Sequence, residues 1–225
     1  MGSCPTCLID PSALLVADAS TVINLNASGC ACRVIEALPN RVLVVDIVRE
    51  ELEGGRHRQR SDADLLDDLV KNKLIEIDSL DAAGEGYFEQ LVIGDAKDTL
   101  DDGEAATIAH AASLNGVAVF DEKKATRICG ERFPALHLGR TMDIFGHPLV
   151  RGALGADGLA NAVFNALFYG RMRVFPHYVD WVVALIGMDR AEQCKSLPRS
   201  VRVARSAAAT GASAKSTGPS KKAEK

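Results

Sequence analysis

Short runs of consecutive apolar residues alternate along the chain with longer segments in which apolar residues recur at helical spacing. The apolar runs, which predict strands, lie at residues 13–17, 41–45, 73–77 and 117–120, with a weaker one at 135–138. The segments between them predict helices near residues 20–38, 47–52, 61–71, 87–93 and 101–115. Because strands made only of apolar residues are buried on both faces, we predict an α/β fold of three layers, in which helices flank a central, mostly parallel sheet.

The pattern changes to helices alone after Gly139. Two further helices are predicted at residues 160–169 and 176–186, the second opened by Pro176. We expect both to pack on the same sheet and not to form a second domain. The expected parts of the chain are a flexible N-terminus at 1–12, the main domain at 13–150, C-terminal helices at 151–190 and a basic, disordered tail at 191–225.

The composition is that of an ordinary globular protein, with 47% hydrophobic and 25% charged residues among 225. This excludes a chain that is disordered throughout. No apolar stretch approaches the roughly 20 residues of a membrane span, and the first residues lack the basic and apolar regions of a secretory signal. Six cysteines are too few for a disulfide-stabilised scaffold. These features predict a cytoplasmic protein with no membrane partner.

Charge is unevenly distributed along the chain. Residues 195–225 carry eight Lys or Arg and one acid, whereas residues 1–194 carry 18 bases and 29 acids. The end of this basic tail is rich in Ala, Ser, Thr, Gly and Lys and has no apolar periodicity. Two interpretations of the tail stay open, an electrostatic arm for nucleic acid and a solvated terminal extension.

Acidic residues follow the predicted strands at one edge of the sheet. Asp18 comes directly after the first strand and Asp121 directly after the fourth. Glu51 lies in the helix after the second strand, and Glu104 lies in the first turn of the helix before the fourth. If the first and fourth strands are neighbours where the strand order reverses, these acids converge on one crevice. The simpler explanations are that Asp18 is only a helix cap and that Asp101 and Asp102 only cap the helix that contains Glu104, while Glu50 competes with Glu51.

Acids crowded in this way have a characteristic chemistry. Carboxylates repel one another and raise each other's pKa unless a cation neutralises them. Oxygen ligands suit hard ions such as Mg²⁺ and Mn²⁺, which also bind phosphates. One or two such ions deprotonate a water and stabilise both oxygens of an in-line displacement at a phosphodiester. The acids therefore favour metal-assisted hydrolysis of a nucleic-acid backbone.

Four segments of the chain resemble the motifs of the PIN-domain family, and they occur in the family's order. The segments are DASTVINL at 18–25, VREEL at 48–52, LDDGEAATIA at 100–109 and VFDEKKATR at 119–127. The resemblance covers roughly residues 13–150. It is closest to the PIN-like branch that has this Gly-Glu-Ala motif and is related to the VapC-type toxins of toxin–antitoxin pairs.

The resemblance implies a PIN-like fold and a metal-dependent ribonuclease, usually a homodimer and often held inactive by a small antitoxin. RNA and the antitoxin are the implied partners. The implied catalytic residues, which would also bind Mg²⁺ or Mn²⁺, are Asp18, Glu51, Glu104 and Asp121. The other implied positions are Glu122 as a fifth metal ligand and, as supporting residues, Ser20, Asn24 and Arg127. The helices at 156–190 and the basic tail exceed a minimal PIN domain and are candidates for partner binding.

Two other enzyme classes fit the sequence less well. A haloacid-dehalogenase-type phosphatase also has Asp after its first strand, but it needs a second Asp two residues later, where this chain has Ser20. A dinucleotide-binding enzyme needs a Gly-rich turn that residues 19–22 do not provide. The four cysteines at 4, 7, 30 and 32 could in principle bind zinc, but the second pair has poor spacing for it. They are better interpreted as small buried residues or as part of a disordered N-terminus.

A non-catalytic function is the remaining alternative, in the form of a PIN-like module that binds nucleic acid or protein. Residues 171–183 are the candidate partner surface, although packing of this segment in the core is the simpler interpretation. The basic run at 56–60 is either a loop that contacts RNA or a solvated loop. Convergence of the four acids within metal-binding reach would separate the enzyme from the binding module.

Overall fold

The computed structural model describes residues 6–55 and 61–201. Within them the chain forms a five-stranded, all-parallel sheet flanked by helices, which confirms the predicted α/β class. The strands are β1 Leu15–Ala17, β2 Val42–Val45, β3 Glu76–Asp78, β4 Val117–Val119 and β5 His137–Gly139. The helices are α1 Ala19–Ala27, α2 Ala31–Glu36, α3 Asp46–Gly54, α4 Asp62–Lys71, α5 Ala82–Val92, α6 Asp102–Ser113, α7 Lys123–Arg132, α8 Thr141–Gly146, α9 Pro148–Phe168, α10 Val179–Ile186 and α11 Met188–Ala191.

The strand order places a crevice between β1 and β4. The order across the sheet is β3-β2-β1-β4-β5, and β1 pairs in parallel with β2 on one side and with β4 on the other. Leu15 of β1 lies opposite both Val42 and Val117. The chain therefore moves outward from β1 to β3 and then returns to β4, so the strand order reverses between β1 and β4. Ligands of open parallel sheets bind beyond the carboxyl ends of strands at such a point.

The three central strands form the middle of the core. Every residue of β1, β2 and β4 is buried, whereas the edge strands β3 and β5 are partly exposed. This explains why the central strands were visible as continuous apolar runs. The third run is predicted to begin at Lys73, but Lys73 instead lies in the turn that follows α4. It has φ +59° and donates its N–H to the Val70 carbonyl at 2.9 Å, a left-handed ending that excludes a strand there.

The long helix predicted at residues 20–38 is divided into α1 and α2. Gly29 separates them with φ +76°, a conformation that glycine adopts without steric cost. Three helices, α7, α8 and α11, were not predicted. In α7 the buried residues are only Ala125, Ile128 and Cys129 among polar neighbours, so its apolar periodicity is weak.

The C-terminal helices pack against the body that contains the sheet. Helix α9 contacts α1, α2, α8 and α10. It begins at Pro148, where His147 accepts a hydrogen bond from the Leu149 N–H. Gly155 interrupts it with a non-helical φ of +69° and ψ of 175°, so the part after Gly155 corresponds to the helix predicted at 160–169. In the candidate partner surface, Met172, Tyr178 and Val182 are buried. This segment therefore contributes to the core.

Both ends of the described chain are packed. The Cys7 N–H donates to Asp143 Oδ1 at 3.0 Å, and Leu8 is buried. Cys194 and Leu197 are buried as well, so packing extends beyond the expected boundaries at residues 13 and 190. Residues 1–5 of the expected flexible N-terminus, the basic run at 56–60 and residues 202–225 of the basic tail lie outside the described residues. Among the residues that the structure describes, no helix combines the length and apolar character needed to cross a membrane.

Candidate active site

A cavity of about 220 Å³ lies beyond the carboxyl ends of β1 and β4. This is the crevice expected from the strand order, and we call it the acidic cavity. Six residues singled out in the sequence line it: Asp18, Ser20, Asn24, Glu104, Asp121 and Glu122. The opposite wall comes from the segment after α9, through Gly170, Arg171 and Arg173. The sequence did not assign these three residues to the site.

Asp18 is both a helix cap and a wall of the acidic cavity. It is only 4% exposed, and its Oδ1 accepts the Thr21 N–H at 2.7 Å at the start of α1. Ser20 Oγ donates to Asp18 Oδ2 at 2.8 Å. Burial raises the pKa of Asp18 above its ordinary value, and the hydrogen bonds from Thr21 and Ser20 oppose that rise. The capping and functional interpretations of Asp18 are therefore compatible.

Asp121 is held by hydrogen bonds at both carboxylate oxygens. Its Oδ1 accepts the Thr141 N–H at 3.1 Å, and its Oδ2 accepts Thr141 Oγ1 at 2.7 Å and Asn24 Nδ2 at 3.1 Å. Burial raises the pKa of Asp121 to about 7, the Thr141 hydroxyl opposes the rise, and the charge of Asp18 adds to it. Thr141 was not predicted to belong to the site. Its position just after β5 places it at the same sheet edge as Asp121, which would have indicated this contact.

Glu104 lies in the first turn of α6 and is half-buried. Burial raises the pKa of Glu104 to about 8, and the charges of Asp101, Asp18 and Glu122 add to the rise. Asp101 caps α6 by accepting the Glu104 N–H at 2.9 Å. Its charge also raises the pKa of Asp18 and Glu51. Asp101 is thus a cap, as considered from the sequence, and an electrostatic member of the cluster.

Glu51 lies beside this cluster but does not line the acidic cavity. Burial is the largest cause of the raised pKa of Glu51, and the charges of Asp101, Asp18 and Asp102 raise it further. The Glu51 carboxylate lies over Gly103, where a Cβ would collide with Oε2. The glycine of the Gly-Glu-Ala segment therefore provides the space that Glu51 occupies.

Two other predicted residues have partners of their own. Glu122 forms an ion pair with Arg173, which belongs to the wall formed by the segment after α9. Arg127 does not reach the cavity: it pairs with Glu131 at 3.0 Å and donates to the Lys97 carbonyl at 2.7 Å. Arg127 therefore braces the loop before α6 and does not contact the acids.

The residue types of the cluster suit a hard divalent cation, because all the candidate donors are carboxylate oxygens whose mutual repulsion a cation would relieve. Among residues 6–55 and 61–201, however, no three Asp, Glu, His or Cys side chains are close enough to hold one ion together. Asp18 and Asp121 are fixed by hydrogen bonds. Glu51 and Glu104 have no side-chain hydrogen bond among the described residues, so they are the members free to adjust. The donor chemistry fits a divalent cation, but no three of the described side chains are placed to hold one ion together.

The crowding of the acids makes a prediction about stability. In EDTA at pH 8, we expect Glu104→Gln to raise the free energy of unfolding by about 1–2 kcal/mol after discounting for solvent screening, or the melting temperature by about 3–6 °C. A carboxyl whose pKa is raised in the folded state loses stability as pH rises from its ordinary value of 4.5 to about 8. The gain should therefore vanish below about pH 4.5.

The control for this measurement is Glu89→Gln, at an exposed glutamate of α5. Thermal unfolding of both variants and the wild type at pH 4.5, 6 and 8 provides the comparison. An equal, pH-independent shift in the two variants would contradict the electrostatic origin of the effect.

A family model described as a PIN domain (DUF3368) matches residues 14–157. The match includes all five strands and the four acids predicted from the motifs. No curated protein and no solved structure gives a significant match.

Proposed function

Because the chain belongs to the PIN-domain family, whose members are generally nucleases, we propose that it is a metal-dependent endoribonuclease that hydrolyses RNA phosphodiester bonds. The observation that carries the proposal is the convergence of Asp18, Glu104 and Asp121 on one cavity at the point where the strand order reverses. Acids that are brought together from distant parts of the chain and have raised pKa values are typical of functional sites.

The chain's own residues have defined tasks in this proposal. Asp18, Glu51, Glu104 and Asp121 would hold Mg²⁺ or Mn²⁺, which when bound supplies an activated water and neutralises charge on the scissile phosphate. Ser20 and Thr21 fix the orientation of the Asp18 carboxylate. Asn24 and Thr141 fix that of Asp121. Preorganised ligands need no rearrangement when the reaction begins.

The basic wall of the acidic cavity complements these acids. Arg171 and Arg173 face a cavity whose other charged lining residues are all acidic. Cationic groups at the edge of an acidic site attract the phosphates of a substrate and so oppose its repulsion by the carboxylates. Because Arg173 already pairs with Glu122, we place Glu122 at the rim of the site, where it orients Arg173.

We further propose that the protein is the toxin of a toxin–antitoxin pair, that a small antitoxin protein holds it inactive and that it acts as a homodimer. The support for these three statements is the resemblance of the four motifs to VapC-type toxins. Co-purification of the chain with the product of a neighbouring small gene tests the antitoxin. Light scattering of the purified chain tests the homodimer.

The test of the nuclease is cleavage of labelled single-stranded RNA by the purified full chain, free of any partner. We expect cleavage with Mg²⁺ or Mn²⁺ and none in EDTA, with activity restored when the metal is added back in excess. Cleavage that continues at the same rate in EDTA would contradict metal dependence. Absence of cleavage of a total RNA pool by folded protein in either metal would contradict the nuclease.

A non-catalytic PIN-like module that binds nucleic acid or protein is the second candidate. The observation in its favour is that no three described acidic side chains are placed to hold one ion. Calorimetric titration with Mn²⁺ separates the two candidates, because the nuclease requires saturable binding that the module does not. The wild type and Asp18→Asn should be titrated in parallel, and only the nuclease predicts a loss of Mn²⁺ affinity in the variant.

A further inference from the structure

A second cavity, of about 600 Å³, adjoins the acidic cavity and shares two of its residues, Arg171 and Arg173. Its other titratable lining residues are Lys123 and Lys195. No acid lines this second cavity within the part of the chain that the structure describes. We call it the basic cavity. An acidic cavity and a basic cavity therefore meet at two arginines.

Three of the four cations in the basic cavity have no partner among the described residues. Lys123, Arg171 and Lys195 are exposed and form no ion pair or side-chain hydrogen bond there, while Arg173 pairs with Glu122. Surface cations usually find acids in a chain that carries 30 of them. Like charges that lie together without acids are mutually unfavourable, which is typical of a surface that binds an anion.

The backbone that carries Arg171 is held in place on both sides. Gly170 lies against Asn24 and Ala27 so closely that a Cβ would collide with them. Met172 is 1% exposed, and its N–H donates to the Ala166 carbonyl at 3.0 Å. Between these two anchors, Arg171 has φ +56°, a strained conformation for a residue with a Cβ. The packing thus overrides the backbone preference of Arg171 and fixes its position between the two cavities.

A polar group with no partner also belongs to the basic cavity. Ser196 lines it, and its Oγ is buried without a hydrogen-bond partner within the described chain. A buried hydroxyl without a partner is unfavourable, because it has lost its hydrogen bonds to water. Rotation about its Cα–Cβ bond would let Ser196 donate to an anion in the cavity and so regain a hydrogen bond.

We propose that the basic cavity binds a phosphate of the RNA strand that flanks the phosphate in the acidic cavity, with Arg171 and Lys195 as its main contacts. The proposal rests on the proposed function, because the scissile phosphate must lie among the acids and the strand must leave that cavity past Arg171. A positively charged groove that follows the backbone is how proteins bind single strands without reading sequence. Continuity with the acidic cavity favours RNA over an acidic peptide as the occupant.

The first test is RNA binding by the full chain in EDTA, where no cleavage occurs. We expect Arg171→Gln combined with Lys195→Gln to weaken binding of a short single-stranded RNA by about tenfold and to reduce the slope of log K against log salt by about 0.7, the contribution of one phosphate contact on a single strand. Fluorescence anisotropy at several salt concentrations measures both quantities.

The matched control is Lys71→Gln combined with Lys73→Gln. These two exposed lysines lie before β3, at the opposite edge of the sheet, and their replacement removes the same total charge. We expect the control to change binding by less than about twofold. Equal losses of RNA affinity in the two double variants would overturn the proposal. It would also be overturned if a polyglutamate of equal charge displaced the labelled RNA as well as unlabelled RNA does.

Cleavage kinetics separate this proposal from the proposed function. If the chain cleaves RNA, the Arg171/Lys195 double variant should raise KM about tenfold and leave kcat within about threefold. Cleavage with unchanged KM would overturn the basic-cavity proposal and leave the nuclease intact. A wild type that does not cleave, combined with weakened RNA binding in the double variant, would overturn the nuclease and support the phosphate site.

Discussion

Replacement of Asp18 by Asn is expected to reduce metal-dependent RNA cleavage by about a thousandfold, equivalent to about 4 kcal/mol in the barrier. The change removes one negative charge from the acidic cavity and keeps the shape of the side chain. Because Asn caps a helix as well as Asp does, the hydrogen bond from the Thr21 N–H to Oδ1 remains available. The rate of cleavage at saturating Mn²⁺, with circular dichroism to verify folding, measures the effect.

The matched control is Asp81→Asn. Asp81 caps α5 through the same kind of bond, accepting the Gly84 N–H at 2.7 Å, but it does not line the acidic cavity. This variant should therefore cleave RNA at the wild-type rate. Wild-type cleavage by Asp18→Asn, or an equal loss in both variants, would contradict the assignment of the site.

Asp121→Asn should also abolish cleavage, but it is a less specific probe. Both oxygens of Asp121 accept hydrogen bonds, from the Thr141 backbone and from the side chains of Thr141 and Asn24. An asparagine amide would place two hydrogens against at least one of these donors. Loss of activity in this variant would therefore combine a lost charge with a displaced side chain, whereas Asp18→Asn isolates the charge.

The fold and the acids were predictable because both follow from local rules. Three central strands are buried on both faces, so each is visible as an unbroken apolar run. Asp18 and Asp121 directly follow two of these strands, and parallel pairing of β1 with β4 brings those ends together. Strand boundaries were less accurate because Lys73, in a left-handed conformation that the sequence does not indicate, delays β3.

The rest of the site depends on contacts between residues that are far apart in the sequence. Thr141 hydrogen-bonds Asp121 from 20 residues away, and Arg173 pairs with Glu122 from 51 residues away. No periodicity connects such positions. The first contact follows from the parallel pairing of β4 with β5, and the second from the packing of α9, which precedes Arg173, across α1 and α8. Glu51 was predicted only in part. The motifs predict that it lies with the other acids, and its carboxylate does lie over Gly103, but it does not line the acidic cavity.

The same packing depends on one buried acid that the sequence analysis did not single out. Asp143 is 1% exposed, and its Oδ1 accepts the Cys7 N–H at 3.0 Å and Tyr178 Oη at 2.6 Å. Its Oδ2 accepts the Arg140 N–H at 2.8 Å. Asp143 thus joins the N-terminal segment, the start of α8 and the turn before α10. Arg140 extends this network, because its guanidinium donates to the Phe120 carbonyl at 2.7 Å, one residue before Asp121.

We expect Asp143→Ala to lower the free energy of unfolding by about 3–5 kcal/mol, or the melting temperature by about 10 °C or more. The substitution removes the acceptor of the Tyr178 hydroxyl, the Cys7 N–H and the Arg140 N–H, and the loss of three hydrogen bonds at a buried acid is destabilising. Tyr178→Phe, which removes one of these donors, should cost about 1–2 kcal/mol. Chemical unfolding of each variant gives the values.

The control is Asp157→Ala, at an exposed position in α9, with an expected change within about 0.5 kcal/mol. A loss in Asp143→Ala no larger than in this control would mean that apolar packing, such as that of the buried Val182, holds the C-terminal helices without the polar network. A large loss would instead show that these helices and the sheet edge beside the acidic cavity depend on the same polar network. Asp143 would then stabilise both the segment that carries Arg171 and the end of β4 that precedes Asp121.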